Sequence, residues 1–285
     1  MTDSLGTILS GSWKYFTAHI RPILIASIIF GVLMFGLQKV LEVQTTGNIE
    51  KHFGDIEQMQ ELAERIEDGD EEAFQEMMDQ MGMVGEEGEL DEKALAGLAS
   101  GMMGNMMPMF GLFFITMMLL TLVTSTFYIV LALESSQSAM TVFKKVPALL
   151  LPMLGVWIWS FLRSFAWIPV VGIIPAIIIG PRLTLSSVIL VKEKKGVFES
   201  VKASYTRTGG YWGKIVGNGI VGALVVMLAV LVLSLGIGIV GSVSMTGAAI
   251  AGAILQSATT AYATIFIVGL SNTIIANPKA SATSK

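Results

Sequence analysis

The side chains that ordinarily do chemistry are nearly absent from this chain. It has no cysteine and only two histidines, His19 and His52. That removes disulfides, thiolate metal sites and cysteine nucleophiles, and leaves most zinc and histidine-based schemes without ligands. Twelve of the 18 methionines lie between positions 59 and 118, with Met102, Met103, Met106, Met107 and Met109 inside eight residues. Thioethers are soft ligands that suit Cu(I). Flexible methionine also fills irregular apolar contacts, and no cysteine or neighbouring histidine supports the metal, so packing is the preferred reading. Asp68-Gly69-Asp70-Glu71-Glu72 is acidic but lacks the ligand spacing and central glycine of a calcium loop. Arg182 follows Pro181 inside an apolar run. A charge there faces the bundle interior and marks function, or pairs with a carboxylate such as Glu134 or Glu199. Asn218, Gln256 and Asn272 would have to line any polar path. No nucleophile–base pair and no metal set can be assembled, so neither catalytic residues nor a cofactor is expected.

The elements that carry these residues are written in the composition. Of 285 residues, 53% are hydrophobic and 14% charged, against roughly 25% charged in a soluble domain. Mean hydropathy is +0.70. Disorder needs the opposite balance, and a soluble fold of this size cannot hide so much apolar surface. A helix needs about 20 apolar residues to cross the hydrocarbon core. Six segments qualify: 22–41, 109–133, 147–162, 166–191, 215–240 and 247–275, the third and fourth forming a hairpin that turns near Arg163 and Ser164. None alternates like a barrel strand, and the first lacks a cleavage pattern, so it reads as an uncleaved anchor. The fold class expected is all-α, a polytopic membrane bundle. Its three regions are 1–41 (interfacial helix and first span), 42–108 (acidic insert) and 109–285 (membrane bundle).

Charge is sorted along the chain. Residues 42–108 hold 18 of the 22 acids and only Lys51, Arg65 and Lys93 as bases; the remainder carries 15 bases and four acids. With six spans, the lysines and arginines before span one, between two and three, between four and five, and after six all fall on one side. The acidic insert falls on the other. The positive-inside rule then places both termini in the cytoplasm. Arg163 is the exception, assigned to the outer turn among Trp157, Trp159 and Trp167.

Within the insert, Ile56, Met59, Leu62, Ala63 and Ile66 recur at helical spacing, then Phe74, Met77, Met78 and Met81, then Leu95, Leu98, Met102 and Met106, with breaks at Gly69 and Gly82–Gly88. Two or three amphipathic helices are expected, as a solvated cap, a surface for a protein partner or second copy, or a cation-concentrating vestibule. On the basic side, 192–214 reads as an amphipathic interfacial helix with Val197, Phe198, Val201 and Tyr205 on one face. Lys192, Lys194, Lys195, Lys202 and Arg207 would grip anionic inner-leaflet lipid, and Trp212 would anchor span five at the interface. Residues 4–20 repeat the pattern. Gly213 and Gly217 begin a small-residue face suited to close helix packing.

An arginine in a proline-kinked span, an acid after it, a nearby glycine, and then an alanine-serine helix ending in Thr-x-Gly and Trp make up a recurring pattern. Here the positions are Arg182, Glu193, Gly196, Ser200, Ser204, Thr208, Gly210 and Trp212, with Gly11-Ser12-Trp13 near the start. The pattern resembles the membrane domain associated with prokaryotic glycerophosphodiester phosphodiesterases and related free-standing membrane proteins of unassigned function. It covers 4–41 and 140–276. The insert 42–108 departs from it, and the catalytic domain is missing. The resemblance implies a fold and residence in a prokaryotic inner membrane, not catalysis. The function expected is a non-enzymatic membrane-organising or partner-binding module, with a homo-oligomer or protein partner through 42–108 and no nucleic acid. The alternative is a transporter or channel for a small solute or soft cation.

Overall fold

In the computed structural model, the described residues are 3–53, 56–80, 92–134 and 138–277. Every regular element among them is a helix: α1 Leu5–Ala18, α2 Ile20–Phe53, α3 Ile56–Glu67, α4 Glu71–Gln80, α5 Glu92–Leu133, α6 Ala139–Arg163, α7 Ile173–Leu183, α8 Ser186–Glu193, α9 Val197–Arg207, α10 Trp212–Gly241 and α11 Met245–Ala276. The protein is an all-α, multi-pass membrane bundle in which six helical segments are long and apolar enough to cross a bilayer. The chain divides into two compact units, 36–118 and 1–35 with 119–285.

In the first unit, the break expected at Gly69 is a helix C-cap. Gly69 adopts φ +89°. Its N–H donates to Ile66 O and the Asp70 N–H to Arg65 O, satisfying the last carbonyls of α3. Asp70 then caps α4 by accepting from the backbone of Glu72 and Ala73. Leu62 and Ala73 are buried in the seam between the two helices. The stretch 82–88 and the side chains of Met102, Met103 and Met106 lie outside the described residues.

In the second unit, α11 is the central post. Its buried residues include Ser257, Ala261, Thr264, Ser271 and Thr273. α2 meets it at Gly31, where a Cβ would stand 2.7 Å from Ile254 Cα. α10 meets it at Gly222, where a Cβ would stand 2.8 Å from the Phe266 ring. These two glycines, not Gly213 and Gly217, set the close approaches. A Cβ at 213 or 217 meets nothing within 4 Å. α1 packs along α11, with Ile8 and Ser12 buried and Trp13 and Phe16 against Tyr262.

The stretch 139–211 departs most from expectation. The turn after α6 is not at Arg163 and Ser164 alone but runs from 164 to 172. Span four is two helices, α7 and α8, joined through Thr184 and Leu185. The basic helix predicted over 192–214 is shorter: α8 ends at Glu193, Lys194 turns the chain in a left-handed conformation, and only 197–207 is helical. α9 packs on α6, α7 and α8, burying Ser200, Val201 and Ser204.

Candidate functional site

The polar residues of the bundle gather where α7, α8 and α9 meet, and helix ends explain why. The last four carbonyls of a helix have no partner within it. At the end of α7, Arg182 O accepts from Ser204 Oγ at 2.8 Å and from Thr208 Oγ1 at 2.9 Å. At the end of α9, Tyr205 O accepts from Arg182 Nη2 at 3.0 Å. Each helix therefore caps the other, and the guanidinium sits where two negative dipole ends converge. Arg182 also lies over the Tyr205 ring, its Cζ 3.7 Å from the centroid. The expected pairing of Arg182 with Glu134 or Glu199 does not form among the described residues: Glu134 pairs with Lys145, and Glu199 lies exposed in the first turn of α9. The Tyr205 ring and the Tyr205 carbonyl take the carboxylate's place. Gly209 leaves room for this, since a Cβ there would stand 3.1 Å from Arg182 Nη2.

Trp212 has a more specific role than interface anchoring. Pro181 has no N–H, so the carbonyl four residues earlier, Ile177 O, loses its helical donor. Trp212 Nε1 donates to that oxygen at 3.3 Å. Among the other predicted lipid-facing bases, Lys192 donates to Asn272 Oδ1 at 2.6 Å, Lys195 and Arg207 hold Glu193, and Lys194 and Lys202 are exposed. Sequence reasoning missed Tyr205 as the shared ring and Trp212 as a cap. The serine and threonine at 200, 204 and 208, four apart on one helix face, and the proline four residues after Ile177 were the available signals.

Deeper in the bundle, Tyr128 OH lies 3.0 Å from Ser27 Oγ and 3.2 Å from Ser257 Oγ, tying α2, α5 and α11 together. No sequence pattern marked this trio. Near the ends of α1 and α5, Tyr15 OH donates to Leu131 O at 2.6 Å, and burial pushes its phenol up to about 12. It therefore stays a donor across the physiological range.

Asn218, Gln256 and Asn272, the residues any polar path would have to use, are not brought together. Asn218 is buried on α10, and its amide nitrogen has no protein partner. Gln256 is exposed, and Asn272 accepts from Lys192. Sixteen residues of one helix, about 24 Å, separate Gln256 from Asn272. The space between α7, α10 and α11 is an apolar groove of about 770 Å³ lined by residues such as Pro181, Gly219, Ala223 and Phe266. The acidic sequence 68–72 is likewise occupied: Arg65 holds Asp70 through Nε and Nη2, and Nη1 reaches Glu76. The Arg65 hydrogen bond and then the Ala73 amide hold the Asp70 carboxyl below its usual value.

No family model matches the chain, and neither a curated protein nor a solved structure matches it.

Proposed function

We propose that this protein is a non-catalytic module that organises a prokaryotic inner membrane or docks a partner there. In this reading both termini lie on the cytoplasmic side, the acidic region 42–108 faces outward for a protein partner or a second copy, and Lys194 and Lys202 remain available to anionic lipid. The observation that carries it is the use made of the polar side chains. Arg182, Ser204, Thr208, Glu193, Arg207, Lys192 and the Tyr128 hydroxyl trio are all spent joining helices. That use favours a structural role for these groups over a reactive one. The likeness to the phosphodiesterase-associated membrane domain supports the same membrane residence.

The test is reconstitution. In nanodiscs, native mass measurement is expected to find an assembly larger than one chain, and a strict monomer would count against the organising role. In proteoliposomes, no solute or Cu(I) flux sensitive to Asn218→Leu is expected; such a flux would replace this reading with transport.

A further inference from the structure

The second and last turns of α6 belong to the same end of the bundle. In the second turn, Lys145 pairs with Glu134, just after the end of α5. Ala132, near that end of α5, shares a cleft with Asp3 and Asn272. Around them Thr273 Oγ1 donates to Asp3, Lys214 to Asp3 O, Tyr211 to Asn277 O and Lys192 to Asn272. This is the basic end, where α1, α5, α8, α10 and α11 all have a terminus.

A 25-residue helix is about 37 Å long, enough to carry Arg163 across a hydrocarbon core of about 30 Å. It does not. The C-terminal half of α6 runs parallel to α9. A Cβ on Gly155 would stand 3.0 Å from Val197, Trp159 packs edge-on to Phe198 at 5.0 Å, and Arg163 lies over the Tyr205 ring at 4.6 Å. α9 is tied to the basic end, because Arg207 holds Glu193 and the adjacent Lys192 holds Asn272. Arg163 and Arg182 both lie over the ring of one tyrosine, Tyr205, although the sequence assigned Arg163 to the outer turn. α6 thus lies across the bundle rather than along it.

The segment beyond Arg163 is apolar and uncovered: Trp167 is 52% exposed, Val170 79%, Val171 72% and Ile174 69%. The exposed bases Lys194 and Lys202 belong to the same layer. Apolar tip and basic rim complement one leaflet with anionic headgroups.

We propose that α6–α9 form a re-entrant lipid-docking layer that enters and leaves the leaflet on the basic side, and that α2, α5, α10 and α11 are the helices that cross. All lysines and arginines of 139–214 then lie on one side, and Arg163 ceases to be an exception. Both termini still share a side. The inference deepens the lipid-gripping part of the function proposed above and rests on it.

The chain has no cysteine, so single replacements report cleanly. Val170→Cys carries a bimane fluorophore in sealed vesicles containing phosphatidylglycerol. A nitroxide-labelled lysolipid is then added to one leaflet at a time. The side from which Lys202→Cys reacts with an impermeant maleimide marks the basic face. Quenching at 170 is expected to be at least two-fold greater when the nitroxide enters that leaflet. Equal or greater quenching from the opposite leaflet overturns the proposal. Gln75→Cys separates the two ideas: if it reacts from the same side as Lys202→Cys, the charge-sorted topology fails, while the comparison of 170 with 202 still decides where the hairpin lies.

Discussion

α10 and α11 are adjacent helices of almost equal length, and they solve opposite problems. In α11, 44% of the most apolar stretch is buried inside the protein; in α10 the share is 6%. The buried helix is the more polar one. Its inward face carries Ser257, Thr264, Ser271 and Thr273, whereas α10 turns leucines and valines outward along most of its length, as at Leu228, Leu231 and Leu235. In water the apolar helix would be the core. In lipid the solvent is itself apolar, so hydropathy does not drive helices together. Small residues and hydroxyls that let backbones approach and join take over that task.

The sharpest way to break this comparison is to crowd the post. Gly31→Val would force a side chain against the Ile254 backbone, and a loss of roughly 3 kcal/mol is expected from overpacking, read as thermal unfolding in detergent. Gly236→Ala on α10 meets nothing within 4 Å and should change stability by under about 0.5 kcal/mol. Equal effects would end the distinction between inner and outer helix. Removing the hydroxyl glue is next. Tyr128→Phe leaves Ser27 and Ser257 without their shared partner, and about 1–2 kcal/mol should be lost, with Tyr262→Phe as a control near zero. Trp212→Phe, at the root of α10, frees the Ile177 carbonyl of α7 and should cost about 1 kcal/mol. Its protection in hydrogen exchange at 173–183 should fall while that of α11 stays unchanged.

The smallest effect belongs to the acidic region. The Asp70 carboxyl titrates below the ordinary value of 3.8 because Arg65 and the Ala73 amide hold its charged form. A depressed folded value means that the carboxylate stabilises α3 and α4 above pH 3.8, and that this contribution disappears as pH falls through the folded value. Asp70→Asn should increase exchange at 56–80 at neutral pH and flatten its acid dependence. The site is exposed and screened by solvent, so only a local change is expected.

Much of the fold was legible because long apolar runs, Gly69 and the sorting of charge are local or one-dimensional signals. The spans at 20–47, 107–133, 212–241 and 245–276 fall where the sequence placed them. The site was legible only in part. The residues picked out by the motif, Arg182, Ser204, Thr208 and Trp212, do come together, but with unforeseen partners. Proline chemistry freed a carbonyl that only a neighbouring helix could reach, and Tyr205 offered one ring to two arginines that no spacing rule pairs.

By itself, the sequence determined which segments must be helices that shun water, where acid and base separate, and that ready-made catalytic groups are scarce, because composition and periodicity act through solvent preference residue by residue. Tertiary structure alone decided that α11 is the post, that two helices cap one another through Arg182, and that the C-terminal half of α6 runs beside α9. Those outcomes depend on which carbonyls, rings and glycines face each other across tens to hundreds of residues of chain, and hydropathy carries no information about such pairings.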